Sequence, residues 1–94
     1  MPPYRIEYSE EAEYDLPRLP GNYRQRAKRL IESLRHAPRP AEAKALRDRP
    51  TRFRIWLDRW RLIYEIDDEN NTIFILRVKQ KRGPETYEGL DEPQ

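Results

Sequence analysis

The chain has no cysteine and a single histidine, His36. Without thiols it forms neither disulfides nor thiolate-bound metal sites, so a domain of 94 residues must be held by packing alone. Such a chain suits a reducing compartment, and a cytoplasmic location is expected. One imidazole also rules out a histidine pair or a His-rich metal site. His36 falls in the last turn of a predicted helix, where interaction with the helix C-terminus accounts for it. No uninterrupted apolar run approaches the roughly 18 residues of a membrane span, and Met-Pro-Pro-Tyr-Arg passes directly into a strand pattern, so neither a span nor a signal peptide is expected. The HExxH, P-loop and GxGxxG signatures are missing too, which leaves metal, nucleotide and dinucleotide cofactors without support. Asp67, Asp68 and Glu69 are acidic neighbours, but their place between two strand patterns makes them turn residues.

What the sequence does contain is charge. With 38% charged against 36% hydrophobic residues and a mean hydropathy of -1.14, disorder has to be considered. The apolar residues answer it, because between Tyr4 and Val78 they fall in periodic runs. A net charge of only +2 with a pI of about 9.0 attracts a polyanion only if the basic residues are gathered on one side. Where the arginines point therefore matters more than their number.

Tyr4-Arg-Ile-Glu-Tyr8 alternates with period two and predicts a strand with Tyr4, Ile6 and Tyr8 inward. Ser9 is a helix N-cap, with Glu10 and Glu11 placed favourably for the helix dipole. Ala12, Leu16 and Leu19 give a short helical stripe that Pro17 kinks or stops. After the turn Pro20-Gly21-Asn22, Asn22 with Gln25 resembles a capping box. The following helix has the stripe Tyr23, Ala27, Leu30, Ile31 and Leu34, and Pro38 terminates it. The segment Ala37 to Pro50 reads as a functional loop or a short extra element pinned by Leu46. Two strands, from Phe53 to Leu57 and from Trp60 to Ile66, flank Asp58-Arg59 as a tight hairpin, and a last strand runs from Thr72 to about Lys79. The expected fold is α+β, in the order β-α-α-β-β-β, with two N-terminal helices on one face of an antiparallel sheet. One domain should span 1–87, with a frayed tail over 88–94.

A two-residue hairpin loop sets Leu57 opposite Trp60, Ile55 opposite Leu62 and Phe53 opposite Tyr64 on an apolar face. The other face pairs Trp56 with Arg61 and Arg54 with Ile63, and stays open if the helices cover the first. For the last strand, a three- or five-residue connection puts Phe74, Leu76 and Val78 inward and Arg77 opposite Arg61. A four-residue connection would bury Arg77, at a cost that decides for the first register. Arg54, Trp56, Arg61, Arg77, Lys79 and Lys81 then share one surface, where cations neutralise phosphates and an aromatic plane stacks on a base. The alternative is a merely solubilising face, with Trp56 lying across aliphatic stems. With no metal site and no usable histidine, the remaining chemistry is phosphodiester cleavage in which a ribose 2′-hydroxyl attacks and fixed cations stabilise the added charge.

Tyr4-Arg-Ile-Glu-Tyr-Ser-Glu-Glu-Ala12, Lys44-Ala-Leu46, Phe53-Arg-Ile55, Trp60-Arg-Leu-Ile-Tyr64 and the stretch from Val78 to Tyr87 together resemble the RelE/ParE superfamily of toxins over nearly the whole chain. The resemblance implies the toxin of a type II toxin–antitoxin pair, with a cognate antitoxin as partner and no cofactor. Members similar to RelE cut mRNA in the ribosome as metal-independent endoribonucleases. Members similar to ParE inhibit DNA gyrase without catalysis, and a degenerate toxin would act only as an antitoxin-binding co-repressor. By position, Arg54 and Arg61 match basic residues of the RelE branch, Tyr87 matches its C-terminal tyrosine, and Lys81 or Arg82 fills the place of a family arginine. Trp56 stands where RelE has a lysine. The resemblance thus implies Arg54, Arg61, Lys81, Arg82 and Tyr87 as catalytic residues, and Trp56, Arg77 and Lys79 as RNA-binding ones.

Overall fold

The computed structural model describes residues 2–80. The chain forms β1 (Arg5–Tyr8), α1 (Glu10–Asp15) continued by a 3-10 turn at Leu16–Arg18, and α2 (Gly21–Leu34). Then follow β2 (Lys44–Leu46), β3 (Arg49–Leu57), β4 (Trp60–Asp67) and β5 (Thr72–Gln80). The strands make one five-stranded sheet in the order β1-β5-β4-β3-β2. β1 runs parallel to β5 and the other pairs are antiparallel. The expected α+β architecture holds, with two differences. Part of the segment before Pro50 is the short edge strand β2, and the sheet carries one parallel pair. No described helix is long and apolar enough to cross a membrane.

Local chemistry explains the helices. Ser9 accepts from the Ala12 amide at 3.0 Å and caps α1, and Pro17 turns its continuation into a 3-10 turn. α2 starts one residue before the expected cap. Pro20 occupies the cap position, so Asn22 lies inside the helix and has no capping role. The α2 stripe behaves as its spacing requires: Ala27, Ile31 and Leu34 are buried, and Tyr23 and Leu30 pack at the rim of the core. They meet Leu62, Tyr64, Ile66, Ile73, Ile75 and Val78 from the centre of the sheet. In β1, Ile6 packs on this core and Tyr4 at its margin, but Tyr8 is exposed, because the strand ends there at the sheet edge.

Two exposed carboxylates fasten the turns. Asp58 adopts φ 56° in the β3–β4 turn, a conformation that short polar side chains tolerate. It accepts from Tyr23 Oη at 2.7 Å and Arg26 Nη1 at 3.0 Å, both on α2. At the other end Asp68 accepts from Tyr4 Oη at 2.5 Å and Arg39 Nη2 at 2.7 Å. The tyrosine bond first and the arginine second hold each carboxyl below the usual carboxylate range. A lowered folded pKa stabilises the fold above the unfolded value, roughly 3.9. That contribution disappears as pH falls through the lowered value. Acid titration followed by circular dichroism should therefore show a loss of stability below about pH 4, and the loss should be shallower in the double variant Asp58→Asn, Asp68→Asn.

Tyr64 is fully buried, stacks on Phe53 with centroids 5.7 Å apart, and donates its hydroxyl to the Pro38 carbonyl at 2.7 Å. Burial pushes its phenol pKa up, so it remains a neutral donor. Tyr64→Phe should lower unfolding free energy by about 1 kcal/mol with an unchanged urea m-value. Leu62→Ala at the same depth should cost about 2–5 kcal/mol.

Candidate nucleic-acid interface

The hairpin register is the one expected: Leu57 faces Trp60, Ile55 faces Leu62, Phe53 faces Tyr64, Trp56 faces Arg61 and Arg54 faces Ile63. Since Ile55, Leu57, Leu62 and Tyr64 are buried against the helices, Arg54, Trp56 and Arg61 share the opposite, open face.

The last strand departs from expectation. Asp67 pairs with Thr72, which leaves a four-residue connection, and Ile73 and Ile75 rather than Phe74 enter the core. Phe74 is exposed on the open face. The penalty for burying Arg77 is avoided by a bulge. Tyr64 pairs with Ile75 and Ile63 with Arg77, so Leu76 is an extra residue and the faces exchange at that point. Val78 returns to the core opposite Leu62, and Lys79, not Arg77, stands opposite Arg61.

Two rows of the ladder therefore cross the open face. One is Trp56, Arg61, Lys79; the other is Lys44, Arg54, Ile63, Arg77. Lys44 was not singled out by sequence reasoning as a site residue. It reaches the second row because β2 pairs with β3, and its sequence signal was its place in the family-resembling stretch Lys44-Ala-Leu46. Lys79 is exposed, while Arg54, Trp56 and Arg61 are half-buried. The Arg54 guanidinium lies 5.7 Å from the Trp56 ring centroid, within cation–π reach, and the Nε of Arg61 is closed off from solvent. Arg77 is tied to α1: it donates from Nε to Asp15 Oδ2 at 2.9 Å and from Nη2 to Oδ1 at 3.3 Å. The bond to Asp15 holds its pKa above the ordinary arginine value.

A third row marks the border of the basic area. Arg52 donates from Nε at 3.0 Å and Nη2 at 2.8 Å to Glu65 Oε1, and Glu65 faces Phe74. Beyond it a shallow hollow is lined by Glu65, Asp67, Asp68 and Glu69 together with Thr51 and Phe74. Among the described residues no cluster of His, Cys, Asp and Glu could hold a metal. His36 lies past the end of α2, its amide donating to the Ser33 carbonyl at 3.2 Å, in the helical layer rather than on the open face. Lys81, Arg82 and Tyr87 lie outside the described residues, as does the stretch 88–94. Within 2–80 the surface offers fixed cations beside an aromatic plane, which suits a polyanion with stackable bases.

A family model described as the ParE toxin of the type II toxin-antitoxin system, parDE, matches residues 6–83. Among solved structures, the chain is similar to one in the toxin-antitoxin complex RelBE2 from Mycobacterium tuberculosis. Identity is 31%, 84% of this chain and 99% of that chain are covered, and the TM-score is 0.71. It is also similar to the isolated E. coli RelE toxin, at 25% identity over 92% of this chain and 93% of that one, with a TM-score of 0.77. A third similarity is to a chain of the intact E. coli RelBE toxin-antitoxin complex, at 26% identity over 85% and 99% of the two chains, with a TM-score of 0.76. No curated protein sequence matches the chain.

If Trp56 is a stacking platform, Trp56→Ala should weaken binding of a short single-stranded oligoribonucleotide by about 1–3 kcal/mol, the worth of one base–aromatic stack. Trp56→Phe should recover part of the loss. Fluorescence anisotropy measures both, and unchanged affinity in Trp56→Ala would remove the stacking role.

Proposed function

The chain belongs to the ParE toxin family of type II toxin–antitoxin systems, and on that premise we propose that it is a ribosome-dependent mRNA endoribonuclease that arrests translation in the cytoplasm. The observation that carries this reading is the row Trp56, Arg61, Lys79 beside Arg54 on a sheet face that the helices leave open. In that site a ribose 2′-hydroxyl gives up its proton and attacks the adjacent phosphorus, and the bond to the 5′-oxygen breaks as that oxygen takes up a proton, leaving a 2′,3′-cyclic phosphate and a free 5′-hydroxyl. Arg61, with Lys81 or Arg82, holds the phosphate, and Arg54 stabilises its added charge or assists proton transfer. Trp56 and Tyr87 stack on the bases, and Lys44 and Lys79 guide the backbone. No metal is called for, since cationic side chains placed before the reaction supply the electrostatic stabilisation. DNA lacks the attacking hydroxyl and would not be cut.

Two of these structural relatives come from RelBE toxin-antitoxin complexes, which supports an antitoxin as the partner of this chain. The antitoxin we propose carries an acidic, partly helical segment that lays carboxylates over Arg54 and Arg61 and so excludes RNA. A second reading is favoured by one specific observation, that the family model is that of ParE. The same face would then bind DNA gyrase without catalysis.

Inducing the chain in cells and mapping messenger 5′ ends separates the two. Cleavage within translated messages is expected, whereas intact messages with a DNA-damage response would establish the gyrase reading. Arg61→Ala should abolish growth arrest and message cleavage while leaving the circular dichroism spectrum unchanged, and Tyr87→Ala should relieve both. Full toxicity in both variants would reject this site.

A further inference from the structure

β1 pairs with β5 only as far as Tyr8 and Ile75, so beyond that point the outer edge of β5 has lost its neighbouring strand. α1 takes its place. Ser9, at the N-terminus of α1, donates its amide to the Ile75 carbonyl at 3.0 Å and its hydroxyl to the Leu76 carbonyl at 2.7 Å. Asp15, the last residue of α1 and almost fully buried, accepts the Val78 amide at 2.9 Å through the same Oδ2 that binds Arg77. These contacts bracket Leu76, the residue at which β5 exchanges its faces.

The exchange matters because Ile73, Ile75, Arg77 and Lys79 are all odd-numbered. In an unbroken strand they would share one face, and the face that takes Ile73 and Ile75 is the core. Only the extra residue turns Arg77 and Lys79 outward and places Lys79 beside Arg61.

We infer that Ser9 and Asp15 are positioning residues for the basic face: by clamping both sides of the Leu76 bulge, they hold β5 in the register that sets Lys79 next to Arg61. The inference rests on the reading of that face as a polynucleotide site. Asp15 acts mainly by accepting the Val78 amide, and its grip on Arg77 is the lesser part. Asp15→Ala thus removes the clamp, whereas Asp15→Asn keeps an oxygen for Val78 and releases only the ionic bond.

The test uses the full chain, with two readouts: cross-strand contacts by NMR, and the salt dependence of binding to a short single-stranded oligoribonucleotide. Asp15→Ala should lose the Arg61–Lys79 contact while retaining Ile66–Ile73, and its log–log salt slope should flatten by about 0.7, one phosphate contact on a single strand. Ser9→Ala should weaken the same contact in the same direction. Asp15→Asn should keep both the contact and the slope. Retention of the Arg61–Lys79 contact and of the slope in Asp15→Ala would overturn the inference. If Asp15→Ala does not fold, Ser9→Ala decides, and an undiminished Arg61–Lys79 contact in that variant overturns it. Failure of the unsubstituted chain to bind RNA would defeat the polynucleotide reading instead, while the NMR contacts would still report on the clamp.

Discussion

A β-strand has two faces and a period of two, so it can serve a buried core and a charged surface only if its sequence alternates accordingly. β5 does not alternate throughout. Its core residues are Ile73, Ile75 and Val78, and its outward cations are Arg77 and Lys79, a set that no straight strand can sort. One inserted residue resolves the conflict at the expense of a local break in the ladder. The broken edge then needs other partners for its backbone groups, since buried amides and carbonyls left unsatisfied are costly. The short α1 supplies them from its two ends. Core, surface and the position of the first helix are thus consequences of one change of parity.

The same conflict sets the limit of what the sequence could tell. The hairpin turn and its register were legible, because Asp58-Arg59 leaves room for only a tight turn, but β3 starts at Arg49, four residues before the expected Phe53, and Leu62, Ile63 and Tyr64 are buried in succession rather than alternating. The burial penalty for Arg77 was also the right constraint. It was applied to the length of the β4–β5 connection, however, where the protein applies it at Leu76. A bulge has no composition signal as plain as a turn, and Leu76 is as apolar as the three residues before it, so alternation alone could not locate it. β2 was legible only as one of two alternatives, a functional loop or a short extra element pinned by Leu46, because it is three residues long and recruited by pairing with β3 rather than by its own pattern. Asp15 was not singled out in the sequence, and nothing in its neighbours announced that it would be buried under two donors.

Electrostatics on the open face are asymmetric along the strands. At the hairpin end the two rows carry Lys44, Arg54, Arg61, Arg77 and Lys79, of which Arg77 is shared with Asp15. One row further, Glu65 is occupied by Arg52, and beyond it the turn is acidic. An anionic chain is attracted over two rows and repelled past the third. The helices cover the reverse of the sheet, so among the described residues the sheet itself offers a polyanion this one face.

The size of that attractive area bears on the kind of target it serves. Neighbouring strands lie about 4.8 Å apart and alternate residues about 6.7 Å apart along a strand, so two rows span only a few nucleotides. Such a footprint neutralises few phosphates, and free RNA would be held weakly and lost readily as salt rises. A protein of this design gains selectivity by acting where a larger assembly already presents the strand in a fixed path, because the entropy of ordering the substrate is then met by that assembly. A message threaded through a ribosome satisfies this requirement, and an unstructured message in solution does not. Small size and the open two-row face therefore support the proposed function, in which the chain would supply the charges around the scissile bond and the ribosome would supply the geometry.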